Sequence, residues 1–291
     1  MAEFFSDVFG INISQGTFVN FIDEYSKKIK PCVEEIKDKL RESDILHCDE
    51  SGIRIEGALH WVHSTGTEKL TYYYPHKRRG NKAMEDMGIL PYFKGVAIHD
   101  HWDSYFRYTG CLHSLCNTHH LRELVFFEEN EQKWAKNIKK CFLDVKIEKD
   151  EKCFLCEERI NLYKKRFLKN INQGFKLHPK NVKINKTRGR PKQSNEYNFL
   201  YRVKERVNDV FRFIIDPKVS FDNNLAEPDI RMLKIQQKVS GSFRSYEGAL
   251  SFCLIRSYIS SIRKNGQSIF KALPTVWSSS IMLPKVLIEA E

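Results

Sequence analysis

Three acidic residues stand where a chain built only for packing would least favour a charge. Asp49 ends the run ILHCD, Asp100 ends the run GVAIHD, and Glu227 lies at the start of a predicted helix in FDNNLAEPDIR. Carboxylates that meet at one point repel each other, so such a group needs a cation or a bound proton. Oxygen ligands suit Mg²⁺ or Mn²⁺, and two such ions about 4 Å apart can bind the attacking and leaving oxygens of a phosphodiester. The pattern therefore predicts that the three acids are catalytic and bind two metal ions.

Each of these acids also has a simpler alternative role. Asp49 precedes a Ser-Gly pair and could be an ordinary hairpin aspartate. Asp103 follows Asp100 closely and is the alternative metal ligand at that point. Asn224-Leu-Ala-Glu227 also matches a helix capping box, with Asn224 as the N-cap and Glu227 as the third helical residue. The sequence leaves these alternatives open.

Cysteine and histidine residues near the second acid suggest a different chemistry. Cys116-Asn-Thr-His119 has the spacing of one pair of zinc ligands, and His99 and His101 flank the acid itself. These four residues would suit a zinc-dependent small-molecule hydrolase. No second pair follows at zinc-finger spacing, so the zinc signal is weak.

Two further pairs have a chemical and a structural interpretation. His119 and Arg122 lie one helical turn apart and could both contact a phosphate, or they could be a buried histidine and a surface arginine. Cys153-Phe-Leu-Cys156 has no matching pair elsewhere, so we expect both cysteines to pack in a core.

The charge of the chain indicates a polyanionic partner. The 291 residues include 48 Lys and Arg against 37 Asp and Glu, a formal net charge of +11. The excess is concentrated between Arg159 and Arg206, where 15 basic residues face two acidic ones. Such a local surplus predicts binding to nucleic acid, although a solvated lysine-rich helix and loop is the alternative.

Two groups of cations are the candidate DNA contacts. Arg188, Arg190 and Lys192 belong to TRGRPK, whose Arg-Gly-Arg-Pro core is seen in AT-hook peptides that follow a narrow minor groove. The second group could follow a DNA strand or could simply form the polar face of a helical pair. Its members recur around aromatic residues and are Lys234, Lys238, Arg244, Arg256, Arg263 and Lys264.

Apolar spacing predicts the elements that position these residues. Residues 15–42 have the pattern of an amphipathic helix, with Pro31 as a kink or break. Three β-rich runs follow and predict a meander that carries Asp49 on its first strand. A short helix at 81–87 leads to two further strands, VAIHD and CLHSLC, and a long helix begins near Asn117.

The rest of the chain is mainly helical. Helical periodicity continues to about residue 172, resumes at 197–215, restarts after the Asn-Asn pair at 223–224, and is strong again at 246–263. The order of elements predicts a ribonuclease-H-like α/β fold, a mixed sheet with flanking helices. The predicted regions are a helical lead-in (1–43), the first part of the core (44–125), a helical and basic region (126–215, with a linker at 173–196), a C-terminal helical part of the core (216–275) and a tail (276–291).

Composition also bears on the compartment. No apolar run approaches the roughly 20 residues needed to span a membrane, and no basic segment followed by an apolar stretch opens the chain. Eight irregularly spaced cysteines are typical of reduced thiols rather than a disulfide framework. We therefore expect no membrane partner and a location in the bacterial cytoplasm or nucleoid.

Four motifs together resemble a known family. HCDESG, HDHWDSY, CNTHHLREL and the long block FDNNLAEPDIRMLKIQQKVSGSFRSYEGALSFCLIRSYISSIRKNG look like a DDE transposase of the insertion sequence 66 family. The resemblance spans most of residues 5–275. Asp49, Asp100 and Glu227 occupy the positions that match the acidic triad of this family.

The resemblance implies a fold, an activity and partners. The fold is a ribonuclease-H-like core with a helical insertion between the second and third acids, and the activity is Mg²⁺-dependent cutting and joining at transposon ends. The implied partners are the DNA of the transposon ends and the target, with a homo-oligomer on that DNA. Family members usually carry an N-terminal zinc-binding and DNA-recognition region that we expect to be absent here. A separately encoded accessory or N-terminal region is a further candidate partner. Pro228 stands where the family more often has arginine, and a noncatalytic DNA-binding remnant is the alternative function.

Overall fold

The computed structural model describes residues 2–182, 190–278 and 280–288, which divide into two compact units. The first unit comprises Met1–Gly95, Arg107–Cys111 and Asn224–Glu291, and the second comprises Val96–Phe106 and Leu112–Asn223. The strands form a five-stranded mixed sheet of order β3-β2-β1-β4-β5. The strands are β1 Ile45–Ile55, β2 Ala58–Gly66, β3 Thr71–His76, β4 Val96–His99 and β5 Leu112–Leu115.

Thirteen α-helices and one 3₁₀ helix (Asp103–Arg107) lie within the described residues. The helices are α1 Ala2–Phe9, α2 Gln15–Glu42, α3 Asn81–Met87, α4 Asn117–Glu129, α5 Lys133–Lys152, α6 Glu157–Leu177, α7 Asn195–Glu205, α8 Val207–Val210, α9 Arg212–Ile215, α10 Ala226–Ser240, α11 Tyr246–Lys264, α12 Ile269–Thr275 and α13 Lys285–Ile288. A mixed α/β fold with flanking helices is confirmed and is compatible with the predicted ribonuclease-H-like arrangement.

In the first unit, α2 is one continuous helix. Ser14 caps its start by accepting a hydrogen bond from the Thr17 N–H group at 3.0 Å, and its buried side chains recur every three or four residues. Of the predicted kink or break at Pro31, the break does not occur, because the helix runs through this residue. Pro31 is exposed, so water can bind the carbonyl group that loses its partner in the helix.

The antiparallel meander of the first unit follows its turn chemistry. Glu56 and Gly57 both have positive φ, as a two-residue type I′ hairpin requires, and they join β1 to β2. The backbone of β3 is covered by α11, because the Ser261 and Ser257 hydroxyls accept hydrogen bonds from the Thr71 and Tyr73 N–H groups. These serines replace a neighbouring strand and protect the edge of the sheet.

In the second unit, β4 and β5 pair in parallel and helices α4 to α9 follow. Aromatic side chains fill the core between these helices, notably Trp134, Phe142, Phe167, Phe199 and Phe211. The helix predicted at 197–215 is divided into α7, α8 and α9. The helix α6 continues to Leu177, so the first residues of the predicted linker are helical, and residues 183–189 lie outside the described part of the chain.

Candidate active site and DNA-contact residues

Asp49 lies on the helix-covered face of the meander. It is paired with Ser64 on β2, and Ser64 is paired with Tyr73 on β3, so the three side chains form one row across the strands. Side chains alternate along a strand, so Asp49 shares its face with Ile53 and Ile55. Asp49 is half-buried, and its Oδ1 atom accepts a hydrogen bond from the Glu50 N–H group at 2.8 Å. A rigid strand therefore sets the position of this carboxylate.

Helix α10 packs on that same face. Leu233 belongs to the core cluster that contains Ile53 and Ile55 of β1. The Gln237 Nε2 atom donates a hydrogen bond to the Gly52 carbonyl at 3.0 Å, and the Lys234 Nζ atom donates to the same carbonyl at 3.3 Å. The helix that carries Glu227 is thus bound to the strand that carries Asp49.

Glu227 lies in the first turn of α10, whose N-cap is Leu225 and not Asn224, as the capping-box alternative requires. The residue before the helix is Leu225, whose side chain makes no capping hydrogen bond, and the helix begins at Ala226. Glu227 is therefore the second helical residue, one position before the place that a capping box requires. Its carboxylate lies 3.3 Å from the Arg231 Nη2 atom one turn later. A carboxylate at a helix N-terminus is stabilised by the helix dipole.

Asp229 is the other acid of this turn and has a structural role that sequence reasoning missed. Its Oδ2 atom accepts hydrogen bonds from Thr71 Oγ1 at 3.0 Å and from Lys264 Nζ at 2.9 Å. Its carbonyl group accepts a third hydrogen bond from the Tyr73 hydroxyl at 3.1 Å. These contacts give Asp229 a structural role in this turn.

Asp100 follows β4 in the second unit. It is half-buried, and its Oδ1 atom accepts a hydrogen bond from the Trp102 N–H group at 3.0 Å, an Asx-type turn. Asp103, the alternative ligand, is exposed at the start of the 3₁₀ helix. The local geometry therefore favours Asp100, whose carboxylate is fixed by its own turn.

A chain of hydrogen bonds fixes the ring of His101, the residue that follows Asp100. Asn117 Nδ2 donates to the Val210 carbonyl at 3.0 Å, so Asn117 Oδ1 is the acceptor that faces His120 Nδ1 at 3.1 Å. The His120 Nδ1 atom therefore carries the proton, and His120 Nε2 accepts from His101 Nδ1 at 3.1 Å. Burial lowers the pKa of His101 to about 3, so its ring is neutral.

The four candidate zinc ligands do not form one group. The fully buried His99 ring faces His113, with 3.0 Å between Nε2 and Nδ1. The Cys116 thiol accepts a hydrogen bond from the Asn223 N–H group at 3.3 Å, and His119 is exposed. Across residues 2–182, 190–278 and 280–288, no three His, Cys, Asp or Glu side chains are grouped so as to hold a metal ion. The arrangement does not favour the zinc-hydrolase alternative.

The predicted acids suit Mg²⁺ or Mn²⁺ by their chemistry. All three donors are carboxylates, and Mg²⁺ commonly takes only one or two of these from a protein. Water and the phosphate oxygens of a substrate complete its coordination shell. A site of this kind therefore does not require a preformed group of three protein ligands, and the donor set fits the metal.

The candidate DNA contacts lie at the surface. His119 and Arg122 are both exposed on α4, and the buried histidine of that helix is His120. The other exposed candidates are Arg190, Lys192, Lys234, Lys238 and Arg244. Arg188 lies outside the described residues.

The Cys153 and Cys156 prediction is wrong. Both cysteines are exposed, because they end α5 and precede α6 at the turn between the two helices. Cys153 has a positive φ of 62°, a conformation that belongs to a tight turn. The expected packing in a core does not occur at this turn.

Comparison with known proteins adds the family. The family model described as "Transposase IS66 family" matches residues 1–251. No curated protein matches the chain. Among the described residues, no helix is both long and apolar enough to cross a membrane. Since the matched residues are most of the chain, the protein belongs to the IS66 family of transposases.

Proposed function

We propose that this chain carries the catalytic region of a transposase, which cuts DNA at the ends of an insertion sequence and joins those ends to a target. The family suggests a transposase in general. The observation that supports catalysis is that Asp49 and α10, the helix of Glu227, lie on the same face of the sheet. A hydrogen bond from Gln237 to the Gly52 carbonyl connects this helix to β1. Two acids on rigid elements of one face are an arrangement that metal-dependent phosphoryl transfer can use.

In this proposal Asp49, Asp100 and Glu227 would hold two Mg²⁺ or Mn²⁺ ions. When bound, such ions activate a water molecule or a 3′-hydroxyl group and neutralise the charge that develops at the phosphate. Asp49 presents its carboxylate from the middle of the sheet, and Glu227 presents its own from a helix N-terminus. The protein supplies position rather than acid or base groups, because phosphoryl transfer depends mainly on positioning and electrostatics.

The cations would hold the DNA. Lys234 and Lys238 belong to the helix of Glu227, and Arg244 follows it, so a DNA strand bound by them would pass close to this acid. His119 and Arg122 on α4, with Arg190 and Lys192, are the candidate contacts of the second unit. We propose that the protein acts as a homo-oligomer on DNA, because two transposon ends must be joined to one target.

Replacing Asp49 by Asn tests the proposal. Asp49→Asn removes a charge without a change in size, so it should abolish Mg²⁺-dependent nicking and strand transfer while leaving unfolding and DNA affinity nearly unchanged. Asp7→Asn, an exposed aspartate on α1, is the matched control and should cut like the parent. Asp49→Asn protein that cuts DNA as well as the parent would disprove the assignment.

The same assay separates the noncatalytic alternative. A DNA-binding remnant would bind with steep salt dependence and would not cut in Mg²⁺ or Mn²⁺. Parent protein that binds DNA carrying known element ends but never nicks it would favour that alternative.

A further inference from the structure

The first turn of α10 is held by tertiary contacts. Its N-cap residue Leu225 makes no side-chain capping bond. Contacts to the neighbouring strand and helix therefore help to fix the direction in which Glu227 points. Those contacts converge on Asp229, two residues further along.

Asp229 is held through both its side chain and its backbone. Its side chain, only 13% exposed, lies between the Thr71 hydroxyl and the Lys264 ammonium group. Lys264 is itself fixed, since its Nζ atom also donates to the Thr67 carbonyl at 3.0 Å. A buried, paired carboxylate with several donors has little freedom to move.

Tyr73 connects this anchor to the row of Asp49. Tyr73 and Asp49 lie in the same cross-strand row, with Ser64 between them. Adjacent strands are about 4.8 Å apart, so the backbone of Tyr73 lies roughly 10 Å from that of Asp49. The buried Tyr73 ring reaches from this row to the Asp229 carbonyl group. Burial raises the pKa of Tyr73, so its hydroxyl is protonated and donates.

We propose that Tyr73 and Asp229 are positioning residues that set Glu227 relative to Asp49. The inference rests on the proposed function, because it assigns Glu227 as a metal ligand. The Tyr73 hydroxyl ties the first turn of α10 to the row of strand residues that also holds Asp49. The Asp229 bonds to Thr71 and Lys264 stop that turn from rotating.

Tyr73→Phe is the sharpest test, because it removes one oxygen atom and keeps the buried ring. Tyr246→Phe is the matched control: the Tyr246 hydroxyl also donates to a backbone carbonyl, that of Pro75 at 2.7 Å, which belongs to β3 and not to α10. Support lost around a metal ligand typically lowers metal affinity or activity about 10- to 100-fold. We expect a loss of that order for Tyr73→Phe in the turnover rate and an increase in the Mg²⁺ concentration at half-maximal cutting. The KM for DNA should not change, and Tyr246→Phe should behave like the parent.

Two readouts do not depend on cutting. Hydrogen exchange of the amides of Ala226–Ser240 should be faster at the start of α10 in Tyr73→Phe than in Tyr246→Phe. Binding of Mn²⁺ alone, followed by electron paramagnetic resonance, should also be weaker in Tyr73→Phe. Asp229→Asn should give the same pattern, whereas Lys264→Arg, which keeps the charge, should retain most of the parent behaviour.

The outcomes separate the inference from the proposed function. Unchanged exchange and unchanged Mn²⁺ binding in a folded Tyr73→Phe variant would overturn the positioning role. If Tyr73→Phe shows faster exchange and weaker Mn²⁺ binding but the parent protein does not cut DNA, the positioning role is supported and the catalytic function is rejected. A Tyr246→Phe variant with the same losses would show a general loosening of the unit and would also overturn the inference.

Discussion

Arg79 holds the carboxylate of Glu50 with two hydrogen bonds, from Nε at 2.8 Å and from Nη2 at 2.6 Å, both to Oε1. The Glu50 side chain is only 1% exposed, and the guanidinium group also lies 4.9 Å from the centre of the Trp61 ring. Glu50 follows Asp49 on β1, so its side chain points to the opposite face of the sheet. An ion pair on the opposite face of the sheet, whose carboxylate is buried, therefore stabilises the strand of the proposed catalytic aspartate.

Removing Arg79 should destabilise the protein strongly. Arg79→Ala leaves the buried Glu50 carboxylate without this cation, a change that costs about 3–5 kcal/mol for a fully buried pair and less here, because the Arg79 side chain is 38% exposed. The measurement is the free energy of unfolding in urea. Lys27→Ala is the control, because the Lys27–Asp23 pair at 2.6 Å is exposed and should be worth less than about 1 kcal/mol. Equal losses in the two variants would show that the Glu50 pair is no stronger than a surface pair.

The stability of the protein should depend on His63 between pH 6.5 and 4. His63 is buried opposite Glu50, and its Nε2 atom has no hydrogen-bond partner among the described residues. Burial lowers its pKa to about 4 from the ordinary 6.5. A hydrogen bond to the Arg78 backbone opposes this shift, and His76 and Arg79 add smaller effects in the same direction as burial. The unfolded chain therefore binds the proton first as the pH falls. The contribution of neutral His63 to the free energy of unfolding is fully present above pH 6.5. It is lost as the pH falls to about 4, which lowers the free energy of unfolding by up to about 3 kcal/mol.

A neutral replacement isolates this effect from the other buried histidines. His63→Gln cannot titrate, so the difference in unfolding free energy between parent and variant should shrink or change sign as the pH falls from 6.5 to 4. Urea unfolding at several pH values measures it. A difference that stays constant over this range would show that His63 does not titrate with a lowered pKa.

Gly174 should tolerate no side chain, although it lies inside a helix. A Cβ atom there would lie 2.7 and 2.8 Å from the Leu200 methyl groups and 3.2 Å from the Trp134 ring, and both residues are fully buried. Gly174→Ala should therefore destabilise the protein by on the order of 1–2 kcal/mol, despite the better helix propensity of alanine. Gly248→Ala on α11 is the control. Its nearest neighbour would be Ser245 Oγ at 3.4 Å, so it should be neutral or stabilising in thermal unfolding. A Gly174→Ala variant that is more stable than the Gly248→Ala variant would contradict the predicted clash with Leu200 and Trp134.

Much of the fold could be predicted because its signals are local. The run ILHCDESGIRI is β1 from end to end, and the predicted helix at 15–42 is α2. Periodicity and turn residues act within a few positions, so one sequence contains them. The errors arise where tertiary context decides. Pro31 is tolerated because its side of α2 faces solvent, and the two cysteines are exposed because the chain turns at Cys153.

The candidate site could be predicted only in part. The placement of Asp49 on β1 and of Asp100 directly after β4 could be predicted, because each follows an apolar strand pattern. The role of Asp229 was not recognisable, because its partner Lys264 lies 35 residues away and its partner Thr71 lies 158 residues away. A local pattern cannot tell which acid of AEPD forms the ion pair with Lys264.

Cations around α10 should dominate the salt dependence of DNA binding. Lys234, Lys238 and Arg244 are exposed on α10 or just after it. Each phosphate contact adds about 0.9 to the slope of log affinity against log salt concentration, so replacing all three by Ala should lower the slope by two to three. The assay is the Kd for a fixed duplex between about 50 and 200 mM salt.

A control of equal charge makes this prediction specific. Replacing Lys27, Lys28 and Lys30 on α2 by Ala removes the same formal charge from another exposed surface of the same unit. If DNA is attracted nonspecifically to the whole protein, both triple variants should change the salt slope equally, because this attraction depends on total charge. If the DNA backbone follows the α10 surface, only the α10 variant should have a smaller salt slope, because only contacts that neutralise phosphates release counterions. Equal slopes in the two triple variants would therefore exclude α10 as the DNA-binding surface, even if both bind more weakly than the parent.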